Sequence, residues 1–295
     1  MNMTAKYHPL WTALVTPMSD TGEVDIDSFI SLLKLQEEAK NGILILGSTG
    51  EGLALTDEEK LLIVKTAAEL NLSVPLMVGV GGFNINDCKT WIRSCQKQNI
   101  QAFLLVTPLY AKPGPVGQVE WFKDLLDTAS LPCMLYNVPS RAGTSLHIDV
   151  LNELSTHKNF WSLKEASGSV EKFKEYAKWK NDIELFSGDD PLTHDFCQEG
   201  GVGLVSVMAN VWPKETAKYV SYCLDNKPEV IFPVWKNIAD SLFEVSNPIP
   251  TKVLLQHLKM ISSAQLRSPL SINELKKLDK QIQANEMVSK WSKEH

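Results

Sequence analysis

Residues 159–177 read Asn159-Phe-Trp-Ser-Leu-Lys164-Glu-Ala-Ser-Gly168-Ser-Val170-Glu-Lys-Phe173-Lys-Glu-Tyr-Ala177. An apolar run from Phe160 to Leu163 gives way to Lys164, then to a turn of small residues ending at Gly168. Ser167 or Ser169 stands where a helix N-cap belongs, and Val170, Phe173 and Ala177 fall on one face at helical spacing. The stretch is a strand, a turn and a helix, which is one βα unit. Its lysine is the anomaly, because an ammonium ion at the end of a buried strand loses most of its hydration.

The same alternation extends in both directions. Short apolar or β-branched runs recur at Thr12–Thr16, Ile43–Leu46, Leu76–Val80, Ala102–Val106, Cys133–Tyr136, Trp161–Lys164, Ile183–Phe186 and Gly203–Val207, with helical periodicity between them. Thr56-Asp-Glu-Glu59 forms a capping box ahead of Leu61, Leu62, Val64 and Ala68, and Asn84 precedes another amphipathic stretch. Strands alternating with helices imply a parallel sheet, and eight such units predict an α/β fold of the (β/α)8 TIM-barrel type. An open doubly wound sheet is the rival, but no G-x-G-x-x-G follows the first strand. Strand signals stop near Asn226. Asn247-Pro-Ile-Pro250 reads as punctuation, and Lys252–Met260 and Ile272–Val288 read as amphipathic helices. The expected division is a catalytic barrel over residues 1–226 and a helical extension over 227–295.

Bulk properties narrow the function. At 295 residues and 44% hydrophobic, the chain can bury a large core. A formal charge of −6 and no run of basic residues argue against a nucleic-acid partner. The amino-terminal residues carry no apolar stretch of signal-peptide length, and no window of 18 apolar residues follows. The expectation is a cytoplasmic protein with no membrane partner. Five cysteines in no C-x-x-C pair and six unclustered histidines predict reduced thiols and no catalytic metal.

In a barrel, chemistry gathers after the carboxyl ends of the strands. Five polar clusters fall there: Gly47-Ser-Thr-Gly-Glu51, Thr107-Pro-Leu-Tyr110, Tyr136-Asn-Val-Pro-Ser-Arg141, Lys164, and Gly188-Asp-Asp190. Gly47–Gly50 suits an anion through its backbone N–H groups and the hydroxyls of Ser48 and Thr49, although a plain turn also accounts for the glycines. Arg141 offers a fork for a second carboxylate, or a surface charge. Tyr110 and Tyr136 bring hydroxyls able to relay protons, or simply amphipathic packing. Asp189 and Asp190 are expected to cap the helix after strand seven.

Lys164 decides among these readings. At an ordinary pKa of about 10.4, a lysine is neutral at pH 7 only about once in a few thousand, a penalty of roughly 4–5 kcal/mol for use as an amine. Desolvation at a barrel mouth reduces that penalty, and a neutral lysine attacks carbonyl carbon. An anion site, two tyrosines and an arginine nearby favour this over a lysine that merely snorkels to water.

With Gly47-Ser-Thr-Gly-Glu51, Tyr136-Asn-Val-Pro-Ser-Arg141 and Lys164-Glu-Ala-Ser-Gly168 in that order, the sequence resembles the pyruvate-dependent lysine aldolases. That family includes dihydrodipicolinate synthase and N-acetylneuraminate lyase, and the resemblance covers essentially the whole chain. Asn137-Val-Pro-Ser-Arg141, Ser187-Gly-Asp-Asp190 and Asn247-Pro-Ile-Pro250 look like the synthase branch, whereas the lyases usually lack the arginine. The resemblance implies condensation of pyruvate with L-aspartate 4-semialdehyde, the first committed step toward diaminopimelate and lysine, without a cofactor. It implies an imine of pyruvate on Lys164, a carboxylate held by Ser48 and Thr49, and a proton shuttle through Tyr136, Thr49 and Tyr110, with Tyr110 reaching across from a neighbouring subunit. Arg141 would bind the semialdehyde carboxylate, and Val205 would offer its backbone carbonyl near the lysine. It further implies a homotetramer built from two tight dimers.

Two other functions stay open at this level. A neuraminate or 2-keto-3-deoxy-sugar acid lyase would keep the imine and change the acceptor, but a polyol chain has no need of Arg141. A non-catalytic barrel would need none of Lys164, Tyr136 and Thr49 together. In lysine-inhibited relatives an interface pocket uses polar or charged side chains, and the matching positions here look like Gly52, Leu53, Asp57, Lys60, Phe83, Asp87 and Leu109. Lys60 repels a cationic effector, and Phe83 and Leu109 lack polar groups, so feedback by lysine is expected to be weak or absent.

Overall fold

The computed structural model describes residues 8–227 and 232–294. The amino-terminal stretch read for a signal and residues 228–231, just past the expected boundary, lie outside the described residues. The strands are β1 (Leu10–Ala13), β2 (Gly42–Ile45), β3 (Leu76–Val80), β4 (Ala102–Val106), β5 (Cys133–Asn137), β6 (Phe160–Glu165), β7 (Glu184–Ser187) and β8 (Gly203–Ser206). Each pairs in parallel with the next, and β8 pairs back onto β1, closing the barrel.

Burial on both faces explains why the strands read as continuous apolar runs. Alternate residues divide into two clusters. Ile43, Ile45, Phe103, Leu105, Leu135, Leu163 and Leu185 join the helices in the larger one. Trp11, Leu44, Met77, Leu104, Met134, Tyr136, Phe186 and Val205 form the smaller one, which fills the barrel. Lys164 alternates with Leu163, so it belongs to the inner set, in register with Tyr136 on one side and Phe186 on the other. Each large aliphatic or aromatic residue so buried contributes about 1.5–3 kcal/mol, which an ionised lysine does not. Stability alone gives no reason for a lysine there.

The first strand starts two residues before its expected position. Beyond Ala13 the side chain of Asn210 takes over the pairing, donating to the Ala13 carbonyl at 2.8 Å and accepting from the Val15 amide at 2.9 Å. Leu14–Thr16 is therefore loop despite its composition. The capping expectations hold: Thr56 and Glu59 form the reciprocal box, Asn84 caps the helix Ile85–Cys95, and Ser169 caps Val170–Tyr176.

Past the barrel come the helices Phe232–Ser241, Ile249–His257 and Asp279–Glu294. Trp235 stacks on Tyr219 of the helix Pro213–Leu224 at 4.7 Å between ring centroids and meets Trp291 edge-on at 5.1 Å. These residues join the larger barrel cluster, so one hydrophobic core runs through both. The loop before Ile249 and the segment after His257 return to the mouth of the barrel.

Candidate active site

The loop after β2 is held from three directions. Thr16 Oγ1 donates to the Gly50 carbonyl at 2.7 Å. Gly50 must be glycine, since a Cβ there would lie 2.9 Å from the Leu14 carbonyl oxygen. Glu51 takes a left-handed φ of 54° and buries its carboxylate against Lys252 Nζ at 2.7 Å, with side-chain exposures of 2% and 0%. The other Glu51 oxygen accepts from the Arg267 amide at 2.8 Å, and Lys252 also donates to the Gln265 carbonyl at 2.7 Å. Breaking such a pair by removing one partner costs about 3–5 kcal/mol, so the loop and the carboxy-terminal segment move together or not at all. The result is a fixed Ser48-Thr49 step at the mouth.

Lys164 is 5% exposed, and its ammonium lies 4.4 Å from the centre of the Tyr136 ring. Gly188 makes the space, because a Cβ at that position would come within 2.7 Å of Lys164 Cε. Desolvation lowers the Lys164 pKa to about 8, with Asp190 and Asp189 pulling upward and Arg141 pushing further down. At pH 7 roughly one lysine in ten is then an amine, several hundred times the fraction of a free lysine. Burial likewise raises the Tyr136 pKa, against the opposing influence of Arg141 and the Ser48 side chain, so the phenol keeps its proton.

Carboxylates frame this pair. Glu165, next in the strand, accepts from Asn137 Nδ2 at 2.6 Å and from the Ser167 amide at 2.8 Å. Asn137 Oδ1 in turn accepts from the Leu146 amide at 2.8 Å, which ties down the loop carrying Arg141. Asp189 accepts from the Gly168 amide at 2.9 Å, and burial lifts its pKa to about 6. Asp190 accepts from Ser206 Oγ and from the amides of Val207 and Met208 at 2.9 and 3.2 Å.

The expected capping of the helix after β7 is therefore incorrect for both aspartates. Asp189 is the cap position, but the second helical residue is Pro191, which has no N–H to give, and Asp190 is already the first helical residue, so the carboxylates turn to the segments at the ends of β6 and β8 instead.

A cavity of about 530 Å³ opens over this floor, lined by Ser48, Tyr136 and Arg141 and extending toward Lys60, Trp91 and Arg267. Lys164 lies just beyond its wall, past the Tyr136 ring. Arg141 donates through Nη2 to the Asn247 carbonyl at 3.0 Å, and Asn247 Nδ2 donates to Thr49 Oγ1 at 2.9 Å. Val205 is fully buried inside the barrel in the same cluster as Tyr136. Tyr110 does not join them. It is 85% exposed, has a φ of 64°, and pairs with the exposed Phe83 at 6.1 Å between ring centroids.

Sequence reasoning singled out Lys164, Tyr136, Ser48, Thr49 and Arg141, which converge, but missed Asn247, Lys252, Asn137 and Glu165. For Asn137 and Glu165 a signal existed, as polar residues directly following strand-end residues already of interest. Among the described residues no group of three or more His, Cys, Asp or Glu side chains is arranged to hold a metal ion.

The closed parallel barrel thus holds a desolvated lysine on β6 with a tyrosine ring against it and the Ser48-Thr49 step after β2 at its mouth, the layout of a barrel enzyme with its polar groups at the carboxyl ends of the strands. The sequence profile of the dihydrodipicolinate synthetase family matches residues 6–287, and the chain belongs to that family. It is 48% identical over 283 residues to the 4-hydroxy-tetrahydrodipicolinate synthase of Francisella tularensis subsp. novicida, with 96% of each chain covered. Among solved structures, the 4-hydroxy-tetrahydrodipicolinate synthase of Methylacidiphilum fumariolicum superposes with a TM-score of 0.90 at 29% identity, over 96% of both chains. The dihydrodipicolinate synthase of Acinetobacter baumannii complexed with pyruvate gives 0.89 at 29%, over 96% of this chain and 99% of that one.

Proposed function

We propose that this chain condenses pyruvate with L-aspartate 4-semialdehyde to give 4-hydroxy-tetrahydrodipicolinate, through an imine on Lys164. The observation that carries the proposal is the buried Lys164 amine, its pKa lowered to about 8, against the Tyr136 ring. Neutral Lys164 attacks C2 of pyruvate, and the carbinolamine loses water to give the imine. Loss of a C3 proton converts it to the enamine, with the imine nitrogen as electron sink, so neither metal nor organic cofactor is required. Enamine C3 then bonds to the aldehyde carbon, whose oxygen takes a proton through Tyr136 and Thr49. The amino group of the acceptor finally attacks C2 and expels Lys164, closing the ring. Ser48 and Thr49 hold the pyruvate carboxylate, Arg141 the acceptor carboxylate, and the Val205 carbonyl faces the lysine side of the site.

Assembly belongs to the same reading. Leu53, Phe83 and Tyr110 are 64%, 62% and 85% exposed, a cluster that suits burial against a second copy and delivery of Tyr110 into its site. The proposed assembly is a homotetramer of two such dimers, acting in the cytoplasm; no described helix is long and apolar enough to cross a membrane. Feedback by lysine is proposed to be weak or absent, because Lys60 already places a cation 5.4 Å over the Trp91 ring and pairs with Asp57.

Borohydride reduction in the presence of pyruvate, followed by peptide mass mapping, tests the chemistry. A reduced adduct on Lys164 is expected, and no adduct, or one on another lysine, overturns the mechanism. Steady-state turnover with L-aspartate 4-semialdehyde but not with sugar aldehydes is expected to fix the acceptor. In the same assay sub-millimolar lysine is expected to leave the rate unchanged, and sedimentation velocity to give a tetramer; half-inhibition or a monomer contradicts the corresponding part.

A further inference from the structure

Glu165 follows the lysine in β6 and stands directly opposite Asn137 in β5, just as Lys164 stands opposite Tyr136. Side chains alternate along a strand, so this second pair leaves the barrel wall on the face opposite to Lys164 and Tyr136. Glu165 is 1% exposed, and both of its oxygens accept from neutral donors, Oε2 from Asn137 Nδ2 and Oε1 from the Ser167 amide. Burying a carboxylate against neutral donors costs stability, and desolvation pushes its pKa up. The acid at this position therefore has to be explained by what it holds.

What it holds is an amide with two different ends. Asn137 is fully buried, and its Oδ1 accepts from the Leu146 amide, which leaves Nδ2 for Glu165. Leu146 lies near the far end of the segment that joins β5 to the helix Ile148–Leu154 and carries Arg141 in the short helix Pro139–Ala142. Residues 145–147 belong to no helix or strand, and side chains supply their hydrogen bonds. Tyr176 donates its hydroxyl to the Leu146 carbonyl at 2.6 Å, and Gln118 donates to the Ser145 carbonyl at 2.9 Å and accepts from the His147 amide at 2.8 Å. One side chain, Asn137, thus clasps the start of the Arg141 segment to its end. Arg141 itself lines the cavity.

We infer that Glu165 is a positioning residue for the acceptor: it fixes the orientation of the Asn137 amide, which fastens the segment at Leu146 and so sets where Arg141 stands in the cavity. The inference rests on the reading of Arg141 as the clamp for the semialdehyde carboxylate, and adds the residues that hold the clamp in place.

Steady-state kinetics of wild type, Glu165→Met, Asn137→Ala, Arg141→Ala and the Arg141→Ala/Glu165→Met double variant test this. Methionine keeps the reach of glutamate and removes both acceptors. Glu165→Met and Asn137→Ala are each expected to raise KM for the semialdehyde about ten- to hundredfold, the range for losing a charge-assisted contact. The kcat and the KM for pyruvate are expected to stay within about threefold, and the borohydride-trapped adduct to form at the wild-type rate. A purely structural role would lower the active fraction without changing KM for one substrate alone. In the Arg141→Ala background the methionine exchange is expected to cost less than about twofold more. Asn137→Ala cuts the same clasp from the other side and keeps the test open if Glu165→Met does not fold.

An unchanged KM for the semialdehyde in either folded variant overturns the inference. So does a full Glu165→Met effect without Arg141, because the residue would then act elsewhere, and so does a loss of pyruvate trapping, which would place its action on Lys164. A wild-type enzyme that forms no pyruvate adduct on Lys164, or does not turn over the semialdehyde, is a separate result, which sinks the proposed function instead.

Discussion

Lys164→Arg is expected to abolish turnover, by more than about 10⁴-fold, and to leave no borohydride-trapped pyruvate adduct. Arginine keeps the charge and most of the length of lysine, so the loss isolates the one property that it lacks, which is the ability to lose a proton in a protein. The wild-type rate carries the same signature in its pH dependence. With the folded Lys164 pKa near 8, kcat/KM for pyruvate is expected to fall about tenfold per unit as the pH drops below that value. Asp189 raises the lysine pKa, so Asp189→Asn is expected to move this limb to lower pH. Stability runs in a linked direction. A lysine with a folded pKa of about 8 binds fewer protons than the unfolded chain between there and its ordinary 10.5, so stability rises with pH across that window, and the full cost of burial is felt below it. A pH profile flat from 6 to about 9, or residual turnover in the arginine variant, removes Lys164 from the chemistry.

How much of this was legible depends on whether the cause was local. β6 and its lysine were, because burial on both faces leaves an unbroken apolar run, and a charge at its end stands out against it. The eight-fold alternation and the caps at Thr56, Asn84 and Ser169 were legible for the same reason, since each depends on residues within one or two turns. The first strand was placed two residues late because Leu14–Thr16 has strand composition, and nothing nearby announces that Asn210 will take its hydrogen bonds.

The contribution of the carboxy-terminal segment was invisible. Asn247-Pro-Ile-Pro250 has the composition of punctuation, and Lys252 reads as one polar position on an amphipathic helix. Their partners, Thr49 and Glu51, lie about two hundred residues away and leave no periodicity in the sequence. Tyr110 shows a different limit. Within one chain it faces outward beside Phe83, and its place in a site rests on the second copy proposed above.

Tyr136→Phe separates proton transfer from the shaping of the site. The phenylalanine ring keeps the apolar wall 4.4 Å from the Lys164 ammonium, so the desolvation that lowers the lysine pKa survives, and the acid limb of kcat/KM is expected to stay near 8. What is lost is the hydroxyl. Burial keeps the Tyr136 phenol protonated, so in the proposed mechanism it acts as a donor that passes its proton on, never as a standing phenolate. Removing such a group typically costs about 10²–10⁴-fold in kcat. The pyruvate adduct on Lys164 is still expected to be trapped by borohydride, but more slowly, since carbinolamine dehydration also needs a proton. The variant should melt within a few degrees of wild type, because the ring is retained and the exchange removes one hydroxyl contact, that with the Ser48 side chain. A kcat within about threefold of wild type would assign the relay to a different group. A shift of the acid limb would mean instead that the hydroxyl, and not the wall, sets the state of the lysine.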